Sequence, residues 1–382
     1  MDGSNKRKVC VFTGSRADYG PALPLLRRLR SDSALDLKLL VSGGHLVPDQ
    51  GLTYRQIESD GFIIDELIDV VLSGDRPVAT AKSFGMACLG YSDALKRIDP
   101  DIVIVLGDRY ETLAVAVCCL VQGIVIAHVG GGQVSRGSID NQMRNAISKL
   151  AHLHFTVSAA DTDRLLLLGE DRSRMQEVGM PGIDSAVISQ LLDRKSLGVE
   201  IGIELESPVL SVTYHPATAD PSGTDNALDG LLDALEHFDN ATIVITAPNV
   251  DSGSRNISGK LREYCHSTNA RAAFVPSLGQ RLYLSLMRNA DVVIGNSSSG
   301  INEAPLLGTP SVNIGTRQEG RAKASSVVDC GESSTEIRAA IARCLKEKLE
   351  VIPDEGLEAV DRSLGEMIDR LKTVDLVNAL RK

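Results

Sequence analysis

DVVIGNSSSGINEAPLL, residues 291–307, is the stretch whose reading decides the fold. Val292-Val293-Ile294 is an apolar run of the kind found in a buried strand, and Ile301 to Leu307 reads as the opening turns of a helix. Three serines and two glycines therefore sit where a strand feeds a helix N-terminus. Backbone N–H groups and the positive end of the helix dipole meet there, which suits an anion. The hydroxyls of Ser297, Ser298 and Ser299 add donors, and Glu303 lies about one turn in, within reach of a ribose diol. A helix N-cap with spare serines is the simpler alternative. Three serines, two glycines and a glutamate together favour a site for a nucleotide diphosphate.

Working outward, strand-like and helix-like segments alternate along the whole chain, which predicts parallel sheets with crossover helices. Strands are expected at Val9–Thr13, Leu35–Val41, Ile102–Leu106, Ile124–His128 and His154–Val157. After a polar stretch at Asp193–Glu206, read as a linker, strands are expected at Pro208–Thr213, Thr242–Thr246, Ala272–Val275, Val292–Ile294 and Ser311–Ile314. Helices are expected between them, among them Pro21–Arg30, Ala79–Ile98, Glu111–Leu120 and Ile139–Leu150, with Glu336–Leu349 and Glu358–Leu380 closing the chain. The fold class is α/β, with two Rossmann-like doubly wound domains. Residues 1–190 form the first and 205–355 a nucleotide-binding second, and residues 356–382 are a helix expected to pack back on the first.

At 382 residues the chain is long enough for two full cores. Hydrophobic residues make up 43% but aromatics only 3%, so those cores are aliphatic. The net charge of −10, with no basic run beyond Lys6-Arg7-Lys8, argues against nucleic-acid or anionic-membrane binding. The seven cysteines are scattered without metal spacing and read as reduced, buried thiols. The chain shows no signal-peptide pattern and no 18-residue apolar run, so a soluble, cytoplasmic protein is expected.

Chemistry-bearing residues cluster at the predicted strand ends. TGSRADYG (13–20) places Arg16 where its fork of donors can meet a phosphate; it is not GxGxxG, so the dinucleotide fingerprint is absent. LGDRYE (106–111) brings Asp108 to the end of a central strand with Arg109 and Glu111 beside it, poised for acid–base work or a substrate hydroxyl, or else as an N-cap of the following helix. His128-Val129-Gly130-Gly131-Gly132-Gln133 offers either close backbone approach to a ligand or a flexible turn. The following helix carries Asp140, Asn141, Arg144, Asn145 and Lys149, with 141, 145 and 149 on one face. In the second half, His215 of Tyr214-His215-Pro216, then Asn249, Asp251, Gly253 and Arg255, and finally Arg317, Arg321 and Lys323 follow strand ends.

These motifs taken in order, TGSRADYG, SGGHL, LGDRYE, the His128–Phe155 block, TYHPAT, APNVDSGSR, SLGQRLYLSLM, GNSSSGINEAP and NIGTRQEGRAKAS, resemble the hydrolysing UDP-N-acetylglucosamine 2-epimerases of bacterial sialic acid synthesis. The epimerase domain of animal sialic acid synthesis is similar, and the likeness runs from about Lys8 to Cys330. It implies a GT-B-like pair of Rossmann-type domains with the active site in the interdomain cleft, and a homodimer or homotetramer. It also implies loss of UDP across C1–C2 of UDP-N-acetylglucosamine to a glycal, then hydration to N-acetylmannosamine, with no cofactor and no metal. Asp108, Glu111, Gln133, Asp140, Asn145 and His215 then stand at the catalytic positions. Arg16, His45, Asn249, Arg255, Ser297, Ser298, Ser299, Gly300, Glu303, Arg317 and Arg321 stand at substrate-binding ones.

The departures from the family pattern are informative. Gln133 stands where the family has an acid, Asp140-Asn141 where it has an acidic pair, and Asn145 where it has a histidine. A carboxamide can hold a hydroxyl but takes no proton at neutral pH, and loss of one acid–base group costs about 10²–10⁴ in rate. A diverged homologue that binds the same nucleotide sugar is therefore the alternative. It would transfer or release the sugar by other chemistry, in the manner of a glycosyltransferase, or act on a GDP-sugar.

Overall fold

The computed structural model describes residues 6–72, 74, 76–135, 139–179, 181–216, 224–248, 254–321, 323–347 and 355–381. The chain divides into two compact units. Unit 1 comprises Met1–Gln133, Asp140–Ser185 and Leu357–Lys382; unit 2 comprises Val134–Ile139 and Ala186–Gly356.

Unit 1 runs β1 (Arg7–Thr13), α1 (Arg16–Ser31), β2 (Leu35–Ser42), α2 (Tyr54–Ser59), β3 (Glu66–Ile68), α3 (Pro77–Ile98), β4 (Ile102–Leu106) and α4 (Tyr110–Gln122). It continues through β5 (Val125–Val129), α5 (Asp140–Leu150), β6 (Leu153–Thr156), α6 (Ala159–Leu167) and β7 (Met175–Glu177). Seven parallel strands lie in the order β3-β2-β1-β4-β5-β6-β7. The inner strands read as unbroken apolar runs because helices cover both faces; all five residues of β4, Ile-Val-Ile-Val-Leu, are buried.

In unit 2, α7 (Ser185–Ile188) and α8 (Arg194–Ile201) lead into β8 (Val209–Thr213), α9 (Thr224–Leu235), β9 (Thr242–Thr246), α10 (Ser254–Ser267), β10 (Arg271–Val275) and α11 (Gly279–Asn289). Then follow β11 (Val292–Gly295), α12 (Ser299–Leu306), β12 (Ser311–Ile314), β13 (Val327–Cys330) and α13 (Ser334–Lys346). This sheet has six parallel strands in the order β10-β9-β8-β11-β12-β13. In both sheets the strand order reverses once, between β1 and β4 and between β8 and β11. Ligands in open α/β sheets bind outside the carboxyl ends of the strands at that reversal.

Two expectations need correction. The polar stretch at 193–206 is no simple linker, for α8 occupies its middle. The Asp193 side chain caps that helix by accepting from the Ser196 N–H, and Leu197 is fully buried beside Leu205, Val209, Val244 and Leu286. The closing helix is also broken in two, as α14 (Glu355–Thr373) and α15 (Leu376–Leu380), the second capped by Asp375. Both close on unit 1: Val360, Leu364, Met367, Ile368, Leu371 and Ala379 join a core that includes Val9, Val11, Leu25 and Ile104. Arg7 at the start of β1 donates to the carbonyls of Leu371 (2.7 Å) and Val374 (3.0 Å), satisfying the end of α14. Among the described residues no helix is long and apolar enough to cross a membrane.

Met367 is sealed in that shared core, so Met367→Ala is expected to cost about 2–5 kcal/mol of unit 1 stability. Denaturant unfolding measures this; a loss under about 1 kcal/mol would show that the C-terminal helix adds little to the core.

Candidate functional site

In unit 1 the groups expected to bear chemistry emerge at the β1/β4 reversal. Ser15 precedes α1, and Asp18, buried one turn in, accepts from the Gly14 N–H (3.2 Å) and the Ser15 hydroxyl (3.1 Å). Burial pushes the Asp18 carboxyl up from its ordinary value, against the pull of the Arg109 guanidinium. Arg16 is half-buried as the first residue of α1. From the end of β4, Asp108 keeps 18% of its side chain exposed and forms an ion pair with Arg144 of α5, whose own side chain is 2% exposed. A buried guanidinium costs several kcal/mol to desolvate unless it is paired, so Arg144 and Asp108 hold each other.

Two of the expected site residues are deeply buried: Glu111 and His45. Glu111 lies beneath the strand ends. Its side chain is 2% exposed, faces Arg109 at 3.4 Å, and packs beneath Gly14 and Gly43 at the ends of β1 and β2. His45 likewise lies wholly inside. Its Nε2 meets the Thr13 hydroxyl (2.9 Å), its Nδ1 the Thr53 hydroxyl (2.8 Å), and its ring stands edge-on to Tyr19. Burial drives its pKa down to about 3, leaving a neutral ring that ties β1 to the segment after β2. Both residues have ligand-like chemistry, and in this structure their side chains are closed off from solvent and join neighbouring strand ends.

Gln133 is buried at the end of the glycine-rich turn, and Asp140 is half-buried at the first residue of α5. Asn141 and Asn145 are half-buried along one side of that helix, while Lys149 is exposed and reaches the sealed carboxylate of Glu170 at 2.6 Å. The inward face is the neighbouring one, formed by Arg144, Ile147 and Ser148.

In unit 2 the β8/β11 reversal brings Tyr214-His215 beside GNSSSG. Gly295 has φ +141°, and any Cβ there would overlap the Thr213 carbonyl, so only glycine lets β11 lie this close to β8. Asn296, 2% exposed, then joins the two strand ends. Its Oδ1 accepts from the His215 N–H (2.7 Å) and its Nδ2 donates to the His215 carbonyl (2.8 Å). The carbonyl of Asn296 accepts from Arg317 Nη1 (3.1 Å) and Gln318 Nε2 (2.9 Å). The hydroxyls of Ser297 and Ser299 lie 3.1 Å apart, Ser298 is half-buried, and α12 begins at Ser299. The Gly300 and Ile301 N–H groups close a tight turn on the Ser297 and Ser298 carbonyls. The anion-attracting features of this helix end are therefore mainly the serine hydroxyls and the dipole.

Glu303 sits one turn into α12 with its Oε2 sealed from solvent and without a hydrogen-bond partner in the structure. Burial raises its pKa to about 7, opposed by a hydrogen bond from its own N–H and by the charge of Arg321. Arg321 donates to the Ser135 hydroxyl at 3.1 Å. Arg255 is exposed near the start of α10; Asn249, Asp251 and Gly253 lie outside the described residues. Among the described residues no group of three or more His, Cys, Asp or Glu side chains is arranged to hold a metal ion.

Sequence reasoning missed Asp18, the partner role of Arg144, and Asn296. A signal existed for the first, since Ser15-x-x-Asp18 has capping-box spacing. Arg144 and Asn296 act on residues 36 and 81 positions away, for which no local pattern exists.

The model of the family described as UDP-N-acetylglucosamine 2-epimerase matches residues 27–358. A relative from Campylobacter jejuni named GDP/UDP-N,N'-diacetylbacillosamine 2-epimerase (hydrolyzing) is 37% identical over 327 residues, covering 85% of this chain and 84% of its own. A UDP-N-acetylglucosamine 2-epimerase from Neisseria meningitidis serogroup B is 32% identical over 323 residues, covering 85% and 83%. Among solved structures, the UDP-GlcNAc 2-epimerase from Neisseria meningitidis bound to UDP-GlcNAc superposes with a TM-score of 0.79 at 16% identity, covering 95% of this chain and 99% of its own. At that identity the likeness speaks for the fold, which is GT-B-like.

Glu303 yields a pH prediction. A carboxyl whose pKa is raised on folding is still protonated in the native state when the unfolded chain is already ionised. Stability therefore falls as pH climbs from about 4.5 to about 7, then levels off. Glu303→Gln should remove that decline, so thermal unfolding should find the variant more stable than the parent at pH 7.5 and equal to it near pH 4.5. Parallel pH profiles for the two proteins would contradict this.

Proposed function

The chain belongs to the UDP-N-acetylglucosamine 2-epimerase family, and we propose that it is a hydrolysing enzyme converting UDP-N-acetylglucosamine and water to UDP and N-acetylmannosamine. In the first step a base removes the C2 proton while the C1–O bond to the diphosphate breaks, leaving a glycal. In the second, water adds its hydroxyl to C1 and a proton returns to C2 from the other face, inverting that centre. The net reaction consumes one water and releases UDP.

The observation that carries this reading is the Asp108–Arg144 pair at the end of β4. An acid–base group must be accessible yet rigid, and Asp108 is partly exposed and held by a buried guanidinium. In unit 2, the serine turn before α12 has the donors a diphosphate needs, Glu303 has a free acceptor for a ribose hydroxyl, and Asn296 fixes the backbone of His215. His215 and Asp140 supply the second acid–base function, and Arg16 contacts the substrate. Gln133 and Asn145 hold sugar hydroxyls or the acetamido group by carboxamide hydrogen bonds.

One observation favours a second substrate. The relative named for N,N'-diacetylbacillosamine is 37% identical to this chain, and the one named for UDP-N-acetylglucosamine 32%. UDP-N,N'-diacetylbacillosamine, a 2,4-diacetamido sugar, is thus the runner-up, and a GDP-linked form of it the next.

Incubation with each sugar nucleotide, read by NMR of the released sugar, decides among these. N-acetylmannosamine supports the first reading and the 2-epimer of the diacetamido sugar the second. UDP release that requires an acceptor would replace both with sugar transfer. Asp108→Asn should lower turnover by about 10² or more. Ser298→Asp and Glu303→Ala should each weaken UDP binding at least tenfold by calorimetry; unchanged affinity in both would remove the nucleotide from this helix end.

A further inference from the structure

His128 lies in β5, wholly buried, and belongs to no step above. Its Nε2 is 2.8 Å from the carbonyl oxygen of Gly107, the carbonyl of the peptide that leads into Asp108. A carbonyl only accepts, so Nε2 carries the proton. Burial, reinforced by the neighbouring His154 and opposed by the Gly107 bond, pulls the pKa of the ring down to about 4, so the ring is neutral and Nδ1 is bare. That bare nitrogen accepts from the Ser148 hydroxyl at 3.2 Å. Ser148 is on α5, one helical turn after Arg144, and Arg144 returns to Asp108 through its side chain. The contacts close a ring: Asp108, Arg144, one turn of α5, Ser148, His128, Gly107 and Asp108 again.

The central glycine of the Gly130-Gly131-Gly132 turn gives an independent sign that this seat is built. A Cβ on Gly131 would lie 2.9 Å from Ser148 Oγ and 3.1 Å from His128 Nδ1. That glycine is needed for the imidazole and its serine. The Gly107 N–H is also bound, to the Val129 carbonyl at 3.3 Å, so the residue before Asp108 is held at both its N–H and its carbonyl.

We propose that His128 is a positioning residue for Asp108, holding the Gly107 carbonyl and, through Ser148, locking that turn to the helix that carries Arg144. This rests on the reading of Asp108 as the proton-transfer group. Displacement of a catalytic group by about 1 Å costs on the order of 10² in rate, and the geometry makes His128 the guard against such a shift.

The test uses the full chain and whichever of UDP-N-acetylglucosamine and UDP-N,N'-diacetylbacillosamine it turns over. His128→Leu should lower kcat by about 10², with KM and UDP affinity within about twofold of the parent. His128→Gln, whose amide can again donate to Gly107, should recover most of that loss. Ser148→Ala, which cuts only the tie to α5, should lower kcat a few-fold, and it carries the test if His128→Leu does not fold. In an Asp108→Asn background, His128→Leu should add no further loss. Full kcat in folded His128→Leu, full kcat in Ser148→Ala, or an undiminished loss in the Asp108→Asn background would overturn the inference. Histidine-selective 15N NMR needs no turnover and should find His128 neutral with its proton on Nε2 at pH 7; a proton on Nδ1 also overturns it. An Asp108→Asn variant that turns over normally would instead sink the reading of Asp108, whatever the tautomer.

Discussion

In a parallel sheet every strand leaves by the same edge, and where strand order reverses the two flanking connections depart to opposite faces. Much of what is placed at the candidate sites follows from that constraint, met once in each sheet. Between β1 and β4 it brings out the turn with Arg16 and the turn with Asp108; between β8 and β11 it brings His215 beside the serine turn. The strands behind these turns are rigid because they are buried on both faces. The reversal in unit 2 is tight enough that Gly295 can carry no side chain against Thr213.

Strand ends deliver side chains to a region, and buried polar partners then aim them. Arg144 pairs with Asp108, Asn296 holds both backbone groups of His215, and Asp18 ties the first turn of α1 to the Gly14 N–H. Such groups lose hydration on burial and recover it only in one geometry, so they add little net stability while excluding alternative arrangements. His45 serves the same end with two hydroxyl partners, and Glu111 with Arg109. Solvent access differs sharply among the polar residues of these turns. Asp108 is partly exposed, whereas His45 and Glu111 are buried.

Much of the fold was legible along the chain because its causes are local. Apolar runs of four or five residues between Gly- and Ser-rich turns gave away the central strands, and Ile102–Leu106, Thr242–Thr246 and Ser311–Ile314 coincide with β4, β9 and β12. The edge strands β3, β7 and β13 went unseen, since three or four residues with one half-exposed face carry no distinctive pattern. The helix α8 hid in a polar stretch because only Leu197 and its distant neighbours show that one side is buried.

The sequence by itself determined that the chain makes two doubly wound α/β sheets. It also determined that a strand feeds a serine-rich helix end and that carboxylates, arginines and a histidine follow strand ends. These depend on periodicity, turn chemistry and residue type over a few positions. Only the tertiary structure decided which of those side chains are sealed and which are presented. It alone paired Asp108 with Arg144, His128 with Gly107 and Ser148, and Asn296 with His215. The physical reason is that burial and hydrogen-bond satisfaction are sums over neighbours that the fold brings together from tens of residues apart, and no local window of sequence contains them.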